Sequence, residues 1–221
     1  MPSDKRFNYT EIDTPAIGPI PVPPSGFLNR EAYAGELLAA GWRAFSDHVR
    51  SATGRPSANY YAEKTPHHVV KSLDSSIPYC FIALLRDPRD VFLSIKNFNE
   101  KRQKKAFGWR EGQSDREFAV QFLPKLKMAF SWARRAERAE NGLLVCYEDL
   151  IRNPEYSYSK IGDFLKTTVR APEGAKIFTV HGTSESPLDS VGGWRKALDP
   201  AIADMITRSV DAELNEFGYA D

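Results

Sequence analysis

The stretch that decides the fold reads Leu84-Leu-Arg-Asp-Pro-Arg-Asp-Val-Phe-Leu-Ser94. It closes an apolar run that begins at Tyr79 and has the length of a buried strand. Helix-start residues follow at once, because Asp87 is a favoured N-cap and Pro88 suits the first helical position. Asp90 stands where the acid of a capping box would stand. The pattern predicts a strand that passes directly into a helix.

A cation and a hydroxyl lie beside this predicted junction. Arg86 would end the strand, and Ser94 lies two helical turns further on, so the two side chains can share one surface. Backbone N–H groups and the helix dipole favour an anion at a helix start. The sequence therefore predicts a phosphate site. An ordinary junction, with Arg86 in a surface salt bridge, is the alternative for this motif alone.

Together with this motif, three other segments, in the same order along the chain, resemble the sulfotransferase family. They are Tyr61-Ala-Glu-Lys-Thr-Pro66, Leu144-Val-Cys-Tyr-Glu-Asp-Leu150 and Ser190-Val-Gly-Gly-Trp-Arg195. The resemblance runs from about Tyr60 to Leu198 and is closest to the bacterial and glycosaminoglycan-modifying branches. It implies a P-loop-NTPase-like α/β fold, with a parallel sheet flanked by helices. The implied reaction transfers a sulfuryl group from 3′-phosphoadenosine 5′-phosphosulfate to a hydroxyl or amine acceptor.

The resemblance also implies which residues bind the donor nucleotide. Arg86 and Ser94 match the family residues that hold its 3′-phosphate. The late loop supplies the remaining donor-binding candidates, Ser190, Gly192, Trp194 and Arg195. Glycine permits close approach of the backbone to a phosphate. Gly193 occupies a place that is often basic in the family, which Arg195 is expected to offset, and Trp194 could equally pack into the core.

The predicted catalytic residues are Lys64 and His67. In the family, the lysine at the position of Lys64 lies in the cleft, where a cation stabilises charge that builds on the leaving phosphate. A solvated lysine at a strand end is the alternative. His67 is the candidate general base, with His68 and His181 as weaker choices, although adjacent histidines also occur at the polar start of a helix. No spacing of metal ligands is evident, so no metal is expected.

One departure from the family concerns its phosphate loop, which binds the 5′-phosphosulfate. The residues before Glu63 contain no G-x-x-x-x-G-K-[ST] segment, and Pro24-Ser-Gly26 and Ala52-Thr-Gly-Arg55 follow no strand-like run. The chain is therefore expected to be an N-terminally truncated sulfotransferase fold. The alternative to an enzyme is an inactive fragment that binds a 3′-phosphonucleotide or a partner chain. Self-association through an uncovered sheet edge is expected with it.

Composition limits the partners that the chain can have. Its 221 residues, 42% of them hydrophobic, can bury an ordinary core, and 30 Lys and Arg balance 29 Asp and Glu. This balance argues against nucleic acid and anionic membranes. The family resemblance implies a small-molecule or glycan acceptor as the partner. With no apolar leader and with Cys80 and Cys146 placed as core thiols in predicted strands, the expected location is the cytoplasm.

Hydrophobic spacing predicts two regions, a proline-rich extended arm over residues 1–30 and an α/β domain over 31–221. Strands alternate with helices, which indicates a parallel sheet. Regular structure is not expected in the arm, and residues 101–112 are expected to form a mobile loop. A long helix around Phe118 to Ala133 is expected to kink or split at Pro124. A helix is expected from Glu31 to Arg50, with one apolar face formed by Leu38, Trp42, Phe45 and Val49. One last helix is expected from Pro200 to Gly218, with Ile202, Ile206, Val210 and Phe217 facing the core.

Overall fold

The computed structural model describes residues 13–14, 18–19, 30–60, 62, 64, 78–170, 183–184 and 186–220. The chain divides into two units, residues 1–79 and residues 80–221. The predicted boundary after residue 30 stays a prediction.

The first unit contains a short antiparallel pair and one long helix. Strand β1 (Asp13–Thr14) pairs with β2 (Gly18–Pro19), so the expectation that prolines exclude regular structure from this region was wrong. Proline is compatible with a strand that lies at a sheet edge. Helix α1 (Arg30–Ala52) confirms the predicted helix. Its predicted apolar face is only partly covered among the described residues, because Phe45 is 51% exposed.

The second unit is an α/β arrangement. Its elements are β3 (Phe81–Leu85), α2 (Pro88–Arg102), α3 (Asp115–Arg138), β4 (Gly142–Cys146), α4 (Tyr147–Arg152), α5 (Pro154–Leu165), a 3₁₀ turn (Leu188–Ser190), α6 (Trp194–Ala197), α7 (Pro200–Ser209) and α8 (Asp211–Glu216). Strands β3 and β4 pair in parallel, with Phe81 opposite Gly142 and Leu85 opposite Cys146. The predicted parallel α/β class is confirmed. Cys80 lies just before β3 rather than inside it.

Helix α3 supplies much of the hydrophobic core. Phe118 and Phe130 on this helix are almost completely buried, and the helix packs against both β3 and β4. The helix runs without interruption past Pro124, so it is not split there. Phe122 and Leu126 lie on either side of the proline and are buried, and their packing holds the helix together across the missing N–H. No helix in the described part of the chain could span a membrane.

The basic segment that follows α2 is anchored rather than mobile. Helix α2 extends to Arg102, and the loop beyond it buries Trp109, whose ring stacks on Phe118 with centroids 4.2 Å apart. The Asn99 side chain also accepts a hydrogen bond from the backbone N–H of Ala106, at 2.8 Å. The expectation of a mobile loop was wrong because one aromatic side chain in a basic stretch reaches the core.

The C-terminal region is two short helices, α7 and α8, instead of the one helix expected. The Ser209 hydroxyl donates to the carbonyl of Met205, a local bond that competes with helix continuation. The helix is interrupted at Val210, which is 1% exposed and separates α7 from α8. The predicted core positions Ile202, Ile206 and Val210 are confirmed as buried.

A buried ion pair joins the start of α2 to these last helices. The Arg89 guanidinium, 1% exposed, donates to both carboxylate oxygens of Asp87 at 2.8 to 3.3 Å. It also donates to the backbone carbonyl of Tyr219 at 2.7 Å and to the Thr207 hydroxyl at 3.4 Å. Since its hydrogen bonds are shared among several elements, the pair fixes the position of α2 against the C-terminal segment.

Replacing Arg89 by alanine should lower the free energy of unfolding by about 3–5 kcal/mol, because the Asp87 carboxylate would stay buried without its cation. Chemical denaturation measures the change. Arg208→Ala is the matched control, because Arg208 pairs with Asp204 on the exposed surface of α7. It should change stability by about 0.5 kcal/mol or less. Equal effects of the two substitutions would contradict the prediction.

Candidate functional site

The candidate site lies at the carboxyl ends of β3 and β4. Because Leu85 pairs with Cys146, Arg86 and Tyr147 leave the sheet side by side. The Arg86 guanidinium carbon lies 4.4 Å from the centroid of the Tyr147 ring, in a cation–π contact. Arg86 Nη2 donates to the carbonyl of Ser190 at 2.6 Å, and the Ser190 and Tyr147 hydroxyls are 2.9 Å apart. Two of the sequence-predicted residues, Arg86 and Ser190, are thus in contact.

Arg86 retains one donor that its surroundings do not satisfy. Within the described residues, its Nε atom is buried and has no hydrogen-bond partner. A buried donor left unpaired costs about 1–3 kcal/mol, and such atoms in folded proteins commonly mark a ligand or water site. The chemistry of this donor suits a phosphate oxygen.

Ser94 reaches the same late part of the chain from helix α2. Its hydroxyl lies 3.1 Å from the hydroxyl of Thr183, and the Asn97 side chain donates to the Thr183 carbonyl at 3.4 Å. Ser94 is half-buried, as is Thr183. The two side chains predicted to hold a 3′-phosphate therefore meet the chain at Thr183 and at Ser190.

The positive end of α2 faces carboxylates of the chain itself. Asp87 accepts from the backbone N–H of Arg89 at 2.8 Å, which confirms it as the N-cap. Its own backbone N–H donates to Glu148, at 2.9 Å, and not to the capping-box acid Asp90. The helix dipole is therefore already compensated. The predicted phosphate site is therefore left with the side chains of Arg86 and Ser94 rather than with the helix end.

Asp90 instead holds the late loop. One carboxylate oxygen accepts from the backbone N–H of Gly192 at 2.6 Å, and the other accepts from that of Trp194 at 2.9 Å. Burial raises the pKa of Asp90, and the two backbone hydrogen bonds oppose this rise. Two amides of the loop that were predicted to face a phosphate are thus used by Asp90.

The glycines of this loop are required by its shape. Gly192 has φ of +72°, in the left-handed region. A Cβ added to Gly193 would lie 2.7 Å from the carbonyl oxygen of Asp189, closer than such atoms approach. A basic residue at position 193 would therefore displace the loop, which explains the glycine there.

Trp194 packs into the protein interior, which was one of the two roles left open by the sequence. Its indole N–H donates to Asp87 at 3.1 Å, and the Arg89 guanidinium lies 3.8 Å from the ring centroid. The next residue, Arg195, has an exposed side chain whose guanidinium lies 4.6 Å from the same ring. Of these two predicted residues, only Arg195 has an exposed side chain, and its charge faces the solvent.

Glu148 and Tyr219 connect the end of β4 to the C-terminal segment. Glu148 is buried and accepts from the hydroxyl of Tyr219 at 2.8 Å. Burial raises the pKa of Tyr219, and the negative charge of Glu148 raises it further, so the phenol stays a neutral donor. Glu148 also accepts from the backbone N–H of Asp87, at 2.9 Å, so its role is structural.

The two cysteines are free thiols. Burial raises the pKa of Cys146, and the carboxylate of Asp149 adds to the rise. Burial likewise raises the pKa of Cys80. Neither thiol therefore has the lowered pKa of an activated nucleophile, and both are half-buried rather than core residues.

A cavity of about 310 Å³ opens beside the late loop, between the end of β4 and the C-terminal segment. Three of its four carboxylates, those of Asp87, Asp90 and Glu148, accept hydrogen bonds from the protein, and the fourth belongs to Asp149. The cations on its wall are Arg152 and Arg195. Any anion held there would depend on these two arginines.

The predicted catalytic residues are not brought to this site by the described geometry. Lys64 belongs to the first unit, and its side chain is exposed. His67, His68, His181 and Glu63 lie outside the described residues. Within the described part of the chain there is no cluster of three or more potential metal ligands. The expectation of a metal-free site stays a prediction.

Sequence reasoning missed Tyr147 and Thr183, although both lie in segments that it singled out. Tyr147 follows β4 just as Arg86 follows β3, so the parallel register would have placed them together. In the late segment, attention went to His181 rather than to the hydroxyl two residues further on. Asp90 was correctly placed on the helix but was assigned the wrong backbone partners.

Comparison with known proteins supports one family. The model of the sulfotransferase domain matches residues 63–186, more than half of the chain. A crystal structure of retinol dehydratase, in complex with androsterone and the inactive cofactor PAP, shares 17% identity. The match covers 62% of this chain and 48% of that one, with a TM-score of 0.43, so the chain spans about half the length of that protein. No curated protein has a matching sequence.

Sulfotransferases use 3′-phosphoadenosine 5′-phosphosulfate as their co-substrate. The matched range contains Lys64, Arg86, Ser94, Tyr147 and Thr183, which include both residues predicted to hold the 3′-phosphate. The chain therefore belongs to the sulfotransferase domain family.

Proposed function

We propose that this chain binds 3′-phosphoadenosine 5′-phosphosulfate through its 3′-phosphate, for sulfuryl transfer to a hydroxyl or amine of a small molecule or glycan. The observation that carries the proposal is the buried, unpaired Nε of Arg86 at the end of β3. A phosphate oxygen would accept from it, and the Ser94 hydroxyl would donate to the same group. The loop beside Arg86 takes its shape and its positive charge from Ser190, Gly192, Trp194 and Arg195.

Sulfuryl transfer requires an aligned acceptor and cations near the leaving phosphate. We assign the cation to Lys64, whose side chain is exposed. His67 is assigned as the general base that removes the acceptor proton. These two assignments rest on the family match, which includes both positions.

The second candidate function is nucleotide binding without transfer. It is favoured by the sequence, which contains no G-x-x-x-x-G-K-[ST] segment. Ala52-Thr-Gly-Arg55 is a poor substitute for that loop, since Thr53 and Gly54 follow the last turn of α1 and Gly54 has φ of +64°. Backbone carbonyls point outward at this end of a helix, so it repels rather than binds an anion.

A partner chain is the other component of this second candidate. Within the described residues, β3 pairs with β4 alone. One face of β3 exposes Ile82 by 42% and Leu84 by 57%. Open sheet edges and exposed apolar side chains favour association with a second chain.

Arg86→Ala should weaken the binding of adenosine 3′,5′-bisphosphate by about 2–3 kcal/mol, and Ser94→Ala by about 1 kcal/mol, because each removes a contact to the 3′-phosphate. Titration calorimetry measures both changes. Adenosine 5′-monophosphate, which lacks that phosphate, should bind wild type and variants with similar affinity. Unchanged affinity for the bisphosphate in both variants would overturn the site.

Two controls separate lost contacts from lost folding. Ser131→Ala changes an exposed serine on α3 and should leave nucleotide affinity unaltered. Arg86→Lys keeps the charge but loses the planar fork, so it should bind the nucleotide at an intermediate level. Thermal unfolding of each variant checks that the domain remains folded.

Lys64→Met should lower the turnover number at least about 100-fold in an active form of the protein, such as a fusion with a phosphate-loop unit. Nucleotide affinity should change far less, because the cation acts mainly on charge that develops in the transition state. The control is Lys127→Met on the exposed face of α3. Near-normal turnover in the Lys64 variant would make Lys64 an ordinary surface residue.

The 221-residue chain by itself should not transfer sulfuryl groups at an enzymatic rate. One oxyanion donor alone is worth roughly 3–4 kcal/mol of barrier, and an absent phosphate loop removes several donors and a cation. Radiolabelled donor with a mixed panel of phenols, alcohols, amines and glycans tests this. Robust turnover would contradict it and would direct attention to Pro24-Ser-Gly26.

A further inference from the structure

We propose that Asp90 is a positioning residue, which holds the late loop, residues 188–194, against helix α2 and thereby orients Arg86 for its ligand. The inference rests on the proposed function for the identity of that ligand. Asp90 itself touches neither nucleotide nor acceptor in this account. It acts through the loop.

The carboxylate of Asp90 is used completely by the loop. It is 1% exposed, and each oxygen accepts one backbone N–H, that of Gly192 or that of Trp194. Charge-assisted bonds of this kind are about twice as strong as neutral ones. The left-handed conformation of Gly192 and the tight approach of Gly193 to the Asp189 carbonyl allow the loop to present both amides to one carboxylate.

The loop held in this way determines where the Arg86 guanidinium points. Ser190, two residues before Gly192, accepts from Arg86 through its carbonyl and contacts Tyr147 through its hydroxyl. Arg86 is thereby fixed between the Ser190 carbonyl and the Tyr147 ring. In this position Arg86 Nη2 is bonded to Ser190, and the buried Nε has no hydrogen-bond partner within the described residues. Release of the loop would let the guanidinium rotate away.

Tryptophan packing alone does not account for the loop position. Trp194 is held through its side chain by Asp87 and Arg89, but Ser190 and Gly192 have no share in those contacts. Of the hydrogen bonds that tie the loop to α2, the one that the Gly192 N–H donates to Asp90 is nearest to Ser190 along the chain. Asp90 should therefore affect Arg86 more strongly than it affects the overall fold.

The test is Asp90→Asn, which keeps the shape of the side chain but replaces one acceptor oxygen with an amide that cannot accept. Amide hydrogen exchange, followed by NMR on the free protein, should accelerate by about tenfold or more at Gly192 and Trp194. Exchange in β3 and β4 should stay unchanged. The resonance of the Arg86 Nε–H should shift.

The same variant should bind adenosine 3′,5′-bisphosphate about tenfold more weakly, as expected for a lost charge-assisted bond. In the double variant, Asp90→Asn should cause little loss of affinity beyond that caused by Arg86→Ala, because Asp90 affects binding through Arg86. Asp199→Asn is the matched control. The Asp199 carboxylate accepts a hydrogen bond from the backbone N–H of Ala201 at the start of α7. Its replacement should alter neither the amide exchange of the late loop nor the nucleotide affinity.

Unchanged exchange at Gly192 and Trp194 in Asp90→Asn would overturn the positioning role. A uniform rise in exchange throughout the domain would also overturn it, since that result marks global destabilisation. Fully additive losses of affinity in the double variant would show that Asp90 does not act through Arg86. If wild type binds no bisphosphate, the proposed function fails, whereas the exchange and Arg86 resonance measurements still decide the role of Asp90.

Discussion

The buried contact between Asp87 and Arg89 is the interaction on which the rest of the second unit depends. The Asp87 carboxylate caps α2, neutralises Arg89 and accepts the indole N–H of Trp194. Arg89 in turn holds the carbonyl of Tyr219 and covers the Trp194 ring. Burial makes each of these bonds valuable, because an unpaired charge in the interior is strongly destabilising. One pair therefore fixes the strand end, the late loop and the C-terminal segment together.

Around this pair, the site is assembled from parts that are distant in sequence. Parallel pairing of β3 with β4 places Arg86 next to Tyr147, and Asp90 secures the loop that carries Ser190. Carboxylates occupy the start of α2, so the helix end has no free positive charge to offer a ligand. The phosphate binding that we propose therefore relies on a few directed donors rather than on a broad basic field, in keeping with the nearly neutral composition.

Errors in the sequence predictions have two physical sources. The segment around Trp109 is mostly polar, so its composition predicts a mobile loop, but burial of the Trp109 ring anchors the segment to the core. Where short-range bonds compete, periodicity extends a helix too far, as at Ser209 before Val210. In contrast, Pro124 did not break α3, because packing of Phe122 and Leu126 outweighs one missing N–H. Tertiary contacts overrode local preference at Trp109 and at Pro124, whereas a local bond ended the helix at Ser209.

The sequence alone determined the parallel α/β class, the start of α2 at Asp87 and Pro88, the core positions of the last helices and the family, since these follow from local chemistry, spacing and motif. It also placed Arg86 and Ser94 at one junction. Only the tertiary structure decided that Asp90 binds the late loop and that Arg86 lies between Tyr147 and Ser190. The contact between Asp90 and the late loop joins residues about a hundred positions apart. Hydrogen bonds over such a separation leave no periodic pattern in a sequence.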